Sequence, residues 1–423
     1  MIHLRNVLCV VASLFACPVS SIHAEPAGPG EGKSISSKRE PIVVTDKAIR
    51  IHESAPVFDG HNDLPWALRK MGSAVGNIDL RENQPDLHTD IPRLRSGGVG
   101  AQFWSVYVPV STATHNNALT ATLEQIAMVR ELTKKYSDIF ELALTAEDIT
   151  RIRGNGKIAS LIGVEGGHSI ENSLNVLRQL YREGARYMTL THSMSLDWAD
   201  SCSDDSISGG LSAFGEEIVH EMNRLGMIVD LSHVSPACMR KALETTQAPV
   251  IFSHSSARAV ADHPRNVPDD VLLLTKKNGG VVMVNFFSDF VNSVDAARSR
   301  KRTGYREKLN ERYSEDEEKV ASELKQWELK NPRSKRCTVH DLLDHIDQIV
   351  KVAGIEHVGL GSDYDGVPAL PMQLEDVSTY PVITQGLLNR GYTEADIRKV
   401  LGGNVMRVFQ QVEQVSRRLS LEK

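Results

Sequence analysis

The sequence predicts an α/β protein, a (β/α)8 barrel of the TIM type with a charged helical insertion between its seventh and eighth strands. Eight short apolar runs alternate along the chain with amphipathic segments. The segments carry apolar residues at helical spacing and end at glycine. Alternating strands and helices imply right-handed βαβ units on a parallel sheet, and eight such units close into a barrel. A doubly wound open sheet is the alternative, but no glycine-rich phosphate loop follows the first run.

The eight predicted strands are short apolar runs, and most of them end in a polar residue. They cover residues 56–63, 99–108, 158–167, 185–192, 227–233, 249–254, 280–286 and 357–363. Helices are predicted between them, for example at 173–184, 214–226 and 339–354. The stretch 291–337 interrupts the alternation because it is strongly charged. We interpret it as a solvated helical insertion that carries no chemistry.

The first 24 residues have the pattern of a secretory signal peptide. A short positive region precedes an apolar run at 7–16, which is too short to span a bilayer, and Ala24 is a small residue suited to cleavage. The alternative is a lipoprotein signal over residues 1–16, after which Cys17 is lipidated. Both patterns predict an exported protein, either periplasmic or secreted, or attached to the membrane only through an N-terminal lipid.

Composition limits the other classes of protein. The chain has 423 residues, of which 41% are hydrophobic, so a large core can form. The net charge of -6 and the lack of a long basic block argue against a nucleic-acid partner.

Residues 25–45 are predicted to be a flexible leader, and residues 46–415 are predicted to be the main domain. Beyond the signal, Cys202, Cys238 and Cys337 allow at most one disulfide, so disulfides do not define the fold.

Histidine and carboxylate residues recur where the predicted strands end. They are His61 and Asp63 on the first strand, Glu165 on the third, His192, His233 and His254 on the fourth to sixth, and Asp363 on the eighth. In a (β/α)8 barrel the carboxyl ends of the strands meet at one mouth, so these distant residues become neighbours. Imidazole and carboxylate donors of this kind suit Zn²⁺ or a similar divalent ion.

The number of candidate ligands predicts two Zn²⁺ ions per chain, since a single catalytic zinc usually takes three protein ligands. We expect His61 and Asp63 on one ion, His233 and His254 on the other, and Glu165 bridging the two. Two ions can share a hydroxide at neutral pH because each lowers the pKa of bound water. Any one of these histidines alone is more often a hydrogen-bonded structural residue. Their repetition at the same position on several strands is what favours a metal site.

Several motifs resemble the membrane (renal) dipeptidase family of the amidohydrolase superfamily. The matching segments include FDGHNDLPW, GVEGGHSIENSL, PVIFSHSSARAVADHPRNVPDD and HVGLGSDYDGVP, and together the motifs run from about residue 50 to 412. The resemblance implies an exported bacterial zinc-dependent exopeptidase that hydrolyses dipeptides. Some members also accept a C-terminal D-residue or open β-lactam rings. Family members are often dimers, so the resemblance also implies a homodimer.

Carried over position by position, the family's ligands fall on the same five residues. The resemblance also implies that His192 binds substrate, that Arg265 binds its terminal carboxylate, and that Asp363 is catalytic. In the expected mechanism the bridging hydroxide attacks the peptide carbonyl, with Glu165 holding the ions. His192 stabilises the oxyanion, and Asp363 moves the proton. For Arg265 a loop salt bridge with Asp269 or Asp270 is an equal alternative.

Two other functions stay open at this point. One is another amidohydrolase activity, such as β-lactam or lactone hydrolysis, phosphotriester hydrolysis or deamination. Enzymes of that kind usually carry a lysine ligand at the end of the fourth strand, where this chain has Thr191 and His192. The other is a non-catalytic metal-binding protein of the cell envelope, which would need the ligands but neither Arg265 nor Asp363.

Overall fold

The computed structural model describes residues 39–72, 78–313, 316–334 and 337–422. The predicted signal peptide, Cys17 and most of the leader lie outside these residues. The main compact unit spans Pro41–Lys423. At its start, the side chain of Gln373 pairs with both backbone groups of Ile42, which is buried. Within the described ranges, no helix combines the length and the apolar character needed to cross a membrane.

The described strands form one parallel sheet that closes on itself. They are β1 Val57–Asn62, β2 Val99–Ser105, β3 Phe140–Leu142, β4 Ile158–Glu165, β5 Ala185–Thr189, β6 Ile228–Asp230, β7 Ile251–Phe252, β8 Val281–Val284 and β9 Val358–Leu360. Pairing runs β2-β1-β9-β8-β7-β6-β5-β4, and β4 also pairs with β2, which closes an eight-stranded barrel. These eight strands are the eight predicted ones, so the barrel is confirmed. The additional strand, β3, pairs with the start of β4.

The described helices surround this barrel. They are α1 Asp46–Ser54, α2 Leu64–Lys70, α3 Ile91–Ser96, α4 Ser111–Thr114, α5 Ala118–Lys135, α6 Ala146–Gly154, α7 Leu174–Arg182, α8 Ala213–Leu225, α9 Pro236–Thr245, α10 Asp269–Asn278, α11 Ser288–Val291, α12 Ser293–Arg312, α13 Glu317–Lys330, α14 Val339–Val352, α15 Tyr380–Asn389, α16 Glu394–Arg398 and α17 Asn404–Leu421. Short 3-10 helices cover Gly167–Ile170, Ile355–His357 and Val377–Thr379, and Lys399–Gly403 is π-helical.

The helices begin and end at residues that satisfy the free backbone groups of helix termini. Ser173 precedes α7, and its side chain accepts a hydrogen bond from the backbone N–H of Val176 in the first turn. Ser212 does the same for Gly215 at the start of α8. Thr338 and Asp341 form a capping box at the start of α14. Gly226 ends α8 in the left-handed conformation, which glycine adopts without strain. The three helices named from the sequence are therefore present within a few residues of their predicted bounds.

The predicted insertion is the pair α12 and α13, between the seventh and eighth barrel strands. The two helices share a small core of Leu309, Val320 and Leu324. The rings of Tyr305 and Trp327 stack at 6.2 Å between them. The remaining surface of these helices is largely charged and exposed, as the sequence indicated.

The interior of the barrel is packed closely because glycines stand where strands approach each other. A Cβ atom on Gly60 would lie 2.5 Å from the carbonyl oxygen of Ser253, and one on Gly361 would lie 1.8 Å from it. The side chain of Met283 occupies the space beside both glycines. Neither contact leaves room for a methyl group, since protein interiors are packed as densely as organic crystals.

We expect Gly361→Ala to lower the free energy of unfolding by about 1–3 kcal/mol or more, because the new methyl group overlaps backbone that must shift. Gly304→Ala is the matched control, since a Cβ there would meet no heavy atom within 4 Å. It lies inside α12, where alanine should stabilise by up to about 1 kcal/mol. Thermal or urea unfolding measures both variants. Equal stability of the two variants would contradict the close packing inferred for the barrel interior.

Candidate metal centre and active site

Every strand of the barrel ends with a polar side chain that faces the same mouth. These side chains are His61 and Asp63 (β1), Ser105 (β2), Glu165 (β4), His192 (β5), His233 (β6), His254 and Arg265 (after β7), Asn285 (β8) and Asp363 (β9). The structure thus brings together all eight residues that the sequence singled out. Most of them line a cavity of about 340 Å³, a volume suited to a small ligand.

Glu165 lies at the centre of this group. Its Oε2 atom is 3.6 Å from Nε2 of His61. Its Oε1 atom is 3.0 Å from Nε2 of His233, 3.4 Å from that of His254 and 3.6 Å from that of His192. The two oxygens of one carboxylate therefore face different imidazoles, which is the arrangement that a bridging ligand needs.

The donor atoms fit divalent cations. Three overlapping groups have ligand atoms within 4.8 Å of one another: His61, Glu165 and His254; Glu165, His192 and His233; His61, Asp63 and Asp363. Nε2 of His61 is buried without a hydrogen bond of acceptable geometry, although Oδ2 of Asp63 is 3.2 Å away. A buried ring nitrogen beside carboxylates suits a metal ligand. His192 and Asp363 belong to the same groups as the five predicted ligands, His61, Asp63, Glu165, His233 and His254. The choice of those five as the metal ligands therefore stays a prediction.

Burial sets the protonation of several of these groups. It lowers the pKa of His233 and of His254 well below the usual value, which favours the neutral imidazole that a metal requires. Burial also raises the pKa of Asp363 to about 8, and the carboxylates of Asp63 and Glu165 add to this shift. For Glu165, burial acts in the same direction, but the surrounding imidazoles hold its pKa well below the usual value.

Two candidate ligands are oriented by residues that the sequence did not single out. Nδ1 of His61 is 2.9 Å from the hydroxyl of Tyr187. Nδ1 of His254 is 2.8 Å from Oγ of Ser253, which in turn donates to Asp230. Such partners fix the ring and leave Nε2 directed at the centre. Their sequence signal is weak because a tyrosine or serine in a strand is unremarkable.

Asp363 is held by its neighbours in a defined orientation. Its Oδ2 atom accepts a hydrogen bond of 2.7 Å from Nδ2 of Asn285, the first residue after β8. The backbone of Asp363 has φ of 66°, in the left-handed region. A Cβ on Gly366 would lie 2.2 Å from Oδ2 of Asp63 and 2.6 Å from Oδ1 of Asp363. Position 366 therefore requires glycine, because the two carboxylates leave no room for a Cβ atom there.

Arg265 is buried beside the cavity, with 3% of its surface exposed. Its Nη2 donates to the carbonyl of His254 at 3.0 Å, and its guanidinium lies over the ring of Phe290. The salt bridge considered as an alternative is not found, because Asp269 accepts from Gln348 and Asp270 pairs with Arg240. Within the described residues no carboxylate of the protein neutralises Arg265, so its charge is available to an anionic ligand.

The remaining polar candidates have structural environments. His168 is buried, and its Nε2 atom is 3.1 Å from the carbonyl oxygen of Val108. Cys202, Cys238 and Cys337 are free thiols.

This barrel, with histidines and carboxylates at its carboxyl end, defines a metal-dependent hydrolase of the amidohydrolase type. The family model of membrane dipeptidase (peptidase family M19) matches residues 45–423. The chain therefore belongs to the membrane dipeptidase family, as its motifs indicated. This assignment confirms the expected class of enzyme, a metallo-dipeptidase, and argues against a non-catalytic envelope protein.

Relatives and solved structures agree with this assignment. Dipeptidase 3 of Mus musculus is 41% identical over 377 residues, which cover 88% of this chain and 67% of the mouse protein. The Rattus norvegicus protein of that name is also 41% identical, with 68% of its length covered. The probable dipeptidase PvdM of Pseudomonas aeruginosa superposes with a TM-score of 0.75 at 24% identity, over 87% of this chain and 98% of that one. A metallopeptidase of Rhodobacter sphaeroides superposes with a TM-score of 0.68 at 24% identity, over 85% of this chain and 99% of that one. At these identities the two structures support the fold.

We expect Tyr187→Phe to weaken the binding of a divalent metal ion by about 10–100-fold. Nδ1 of His61 would lose its hydrogen-bond partner, and the ring would lose its fixed orientation. Competition with a chromophoric chelator measures the affinity. Tyr136→Phe is the control, because this tyrosine is also buried and its hydroxyl accepts from the backbone N–H of Leu80 rather than contacting a candidate ligand. That variant should lose stability but keep its affinity for the metal ion. Unchanged affinity in Tyr187→Phe would show that other contacts fix His61.

Proposed function

We propose that this metallo-dipeptidase uses two Zn²⁺ ions and that its substrates include some dipeptides with a C-terminal D-residue. The observation that carries the two-ion proposal is Glu165, whose Oε2 faces His61 while Oε1 faces His233 and His254. The Rhodobacter sphaeroides metallopeptidase is liganded with a phosphinate mimic of the dipeptide L-Ala-D-Ala, which supports the proposal for a D-residue.

In this proposal His61 and Asp63 would hold one ion, His233 and His254 would hold the other, and Glu165 would be the ligand that they share. The Nε2 atoms of His233 and His254 are 2.9 Å apart, which supports a shared ion. When bound, the ions would supply Lewis acidity and lower the pKa of water toward neutrality.

Arg265 selects the substrate's C-terminal carboxylate in this proposal. Its guanidinium is buried, fixed against His254 and Phe290, and without a carboxylate partner among the described residues. A planar fork of donors matches a carboxylate. A longer peptide would place a neutral amide at this position, which explains a preference for dipeptides.

His192 and Asp363 act on the scissile peptide. The imidazole of His192 is 18% exposed toward the cavity and packs between the rings of Tyr107 and His233. It can donate from Nε2 to the peptide carbonyl oxygen as charge develops there. Because Asn285 occupies Oδ2 of Asp363, the Oδ1 atom is left to accept a proton from the attacking water and to deliver it to the departing amine.

We also propose that the protein is exported and forms a homodimer. Export rests on the pattern of residues 1–24, which lie outside the described part of the chain. Mass spectrometry of the mature N-terminus distinguishes a chain that starts near residue 25 from one lipidated at Cys17. An intact N-terminus in the cytoplasm would contradict export.

Light scattering measures the oligomeric state of the protein, and a monomer at working concentration would contradict the proposed dimer.

Metal analysis tests the core of the proposal. Protein purified without chelators should contain close to two divalent ions per chain, a chelator should abolish dipeptide hydrolysis, and Zn²⁺ should restore it. Glu165→Gln should lose metal and activity together because a neutral amide cannot bridge two cations. Glu131→Gln, the same change on the exposed surface of α5, is the control. Full activity with one ion per chain would contradict the two-ion proposal.

Arg265→Lys should raise KM by at least about tenfold and change kcat less, since an ammonium cannot replace the bidentate fork. Steady-state kinetics on a series of dipeptides measures both constants. The surface variant Arg240→Lys controls for the loss of a guanidinium. Wild-type enzyme should also cleave amidated dipeptides poorly. Equal cleavage of amidated and free dipeptides would rule out carboxylate recognition by Arg265.

Asp363→Asn should lower kcat by about two to four orders of magnitude, the usual contribution of a general acid–base group. Zinc content and affinity for a phosphinate dipeptide should change far less. Asp365→Asn is the control two residues on, because Oδ1 of Asp365 accepts from the backbone of His88 and ties two loops. If Asp363→Asn lost its metal or kept most of its kcat, the role of proton carrier would be wrong.

A further inference from the structure

We propose that Lys70 recognises an acidic side chain on the N-terminal residue of the dipeptide, an inference that rests on the proposed function. Among the described residues that line the cavity, Lys70 and Arg265 are the one lysine and the one arginine. Arg265 is assigned to the terminal carboxylate. Lys70, the last residue of α2, has no such role in the reaction.

Among the described residues, no acidic group neutralises the charge of Lys70. In the described parts of the chain, no ion pair or hydrogen bond of its ammonium group is found, and its side chain is exposed. The preceding residue, Arg69, behaves differently: it pairs with Glu124 at 2.6 Å and lies over the ring of Trp66. Of two adjacent basic residues, the one that lines the cavity is therefore the one whose charge is available to a ligand.

The barrel places Lys70 and Arg265 on different sides of the cavity. Lys70 follows β1 and Arg265 follows β7, and β9 and β8 separate these strands in the sheet. Trp66, one helical turn before Lys70, packs edge-on against Tyr107 on the first side. Phe287 and Phe290 form a second aromatic pair, and Phe290 lies against Arg265. Each residue of a dipeptide thus has its own aromatic wall with one cation beside it.

This placement assigns Lys70 to one end of the substrate. With the terminal carboxylate at Arg265 and the scissile peptide at Glu165, the N-terminal residue extends toward Trp66 and Lys70. Among the described residues, the cavity is also lined by the carboxylates of Asp63 and Asp363, which would repel an acidic side chain. Lys70 supplies the opposite charge there, on a flexible stem that reaches a side chain carboxylate.

The test compares L-Glu-L-Ala with L-Gln-L-Ala, which have nearly the same shape and differ in charge. The zinc-loaded wild-type enzyme should have a kcat/KM about threefold to fivefold higher for the acidic dipeptide, the range expected of an exposed ion pair. Lys70→Ala should bring the ratio to about one or lower, Lys70→Glu should invert it, and Lys70→Arg should keep it. Lys134→Ala, on the exposed side of α5, should leave the ratio unchanged. High salt should reduce the wild-type ratio because it screens exposed charges.

Other outcomes overturn the inference in distinguishable ways. If Lys70→Ala keeps the wild-type ratio while zinc-dependent hydrolysis of L-Gln-L-Ala persists, the role of Lys70 is wrong and the proposed function stands. If the variant instead changes the ratio between L-Ala-L-Glu and L-Ala-L-Gln, the assignment to the N-terminal residue is wrong. If the wild-type enzyme with zinc cleaves none of the four dipeptides, the proposed function fails, and the role of Lys70 fails with it.

Discussion

The buried carboxylate of Glu165 is the feature on which the rest of the site depends. An ionised carboxylate away from water is costly unless charge and hydrogen bonds compensate it. Here Ser105 donates to Oε2 at 3.1 Å, while His61 on one side and His233, His254 and His192 on the other supply polar nitrogen atoms. This arrangement is possible because a closed parallel barrel brings the carboxyl ends of all its strands to one place. The geometry of the mouth follows from the closure of the sheet.

A layer of buried carboxylates below the candidate ligands joins the strands to one another. Asp59 on β1 accepts from the backbone and hydroxyl of Ser362 and from Tyr380. Asp230 on β6 accepts from the backbone and hydroxyl of Ser253. Asp59 lies two residues before His61, and Ser253 is next to His254. The hydrogen bonds that hold neighbouring strands in register therefore also restrict the positions of two ring nitrogens, so barrel stability and site geometry have a common origin.

The sequence predicted the barrel and the main candidate residues because both leave a periodic signal. Alternating strands and helices are visible as pattern, and His61, Glu165 or His254 stand out because a charged or titratable residue ends an apolar run. Strand β3 was missed because Glu141 lies between its two apolar residues, so the segment does not stand out as an apolar run. Tyr187, Ser253 and Asn285 were missed for another reason. They are ordinary residues of a strand or strand end, and their role exists only through a partner that is distant in sequence.

The backbone at the mouth carries strain that the site requires. His233 and Asp363 both adopt φ of 66°, and each lies three residues beyond the end of its strand. A left-handed residue at this position turns the chain sharply, so its side chain points toward the barrel axis. An extended backbone would instead carry the side chain past the mouth. Such a conformation costs about 1–3 kcal/mol and persists only where the surroundings enforce it. Around Asp363 they do so: its backbone N–H donates to the carbonyl of His61, and Asn285 holds its carboxylate. Gly366 leaves room for that carboxylate, since a Cβ atom there would lie 2.6 Å from its Oδ1. The strain is therefore balanced by contacts from β1 and β8, and the position of the proposed proton carrier depends on the strands on either side of it.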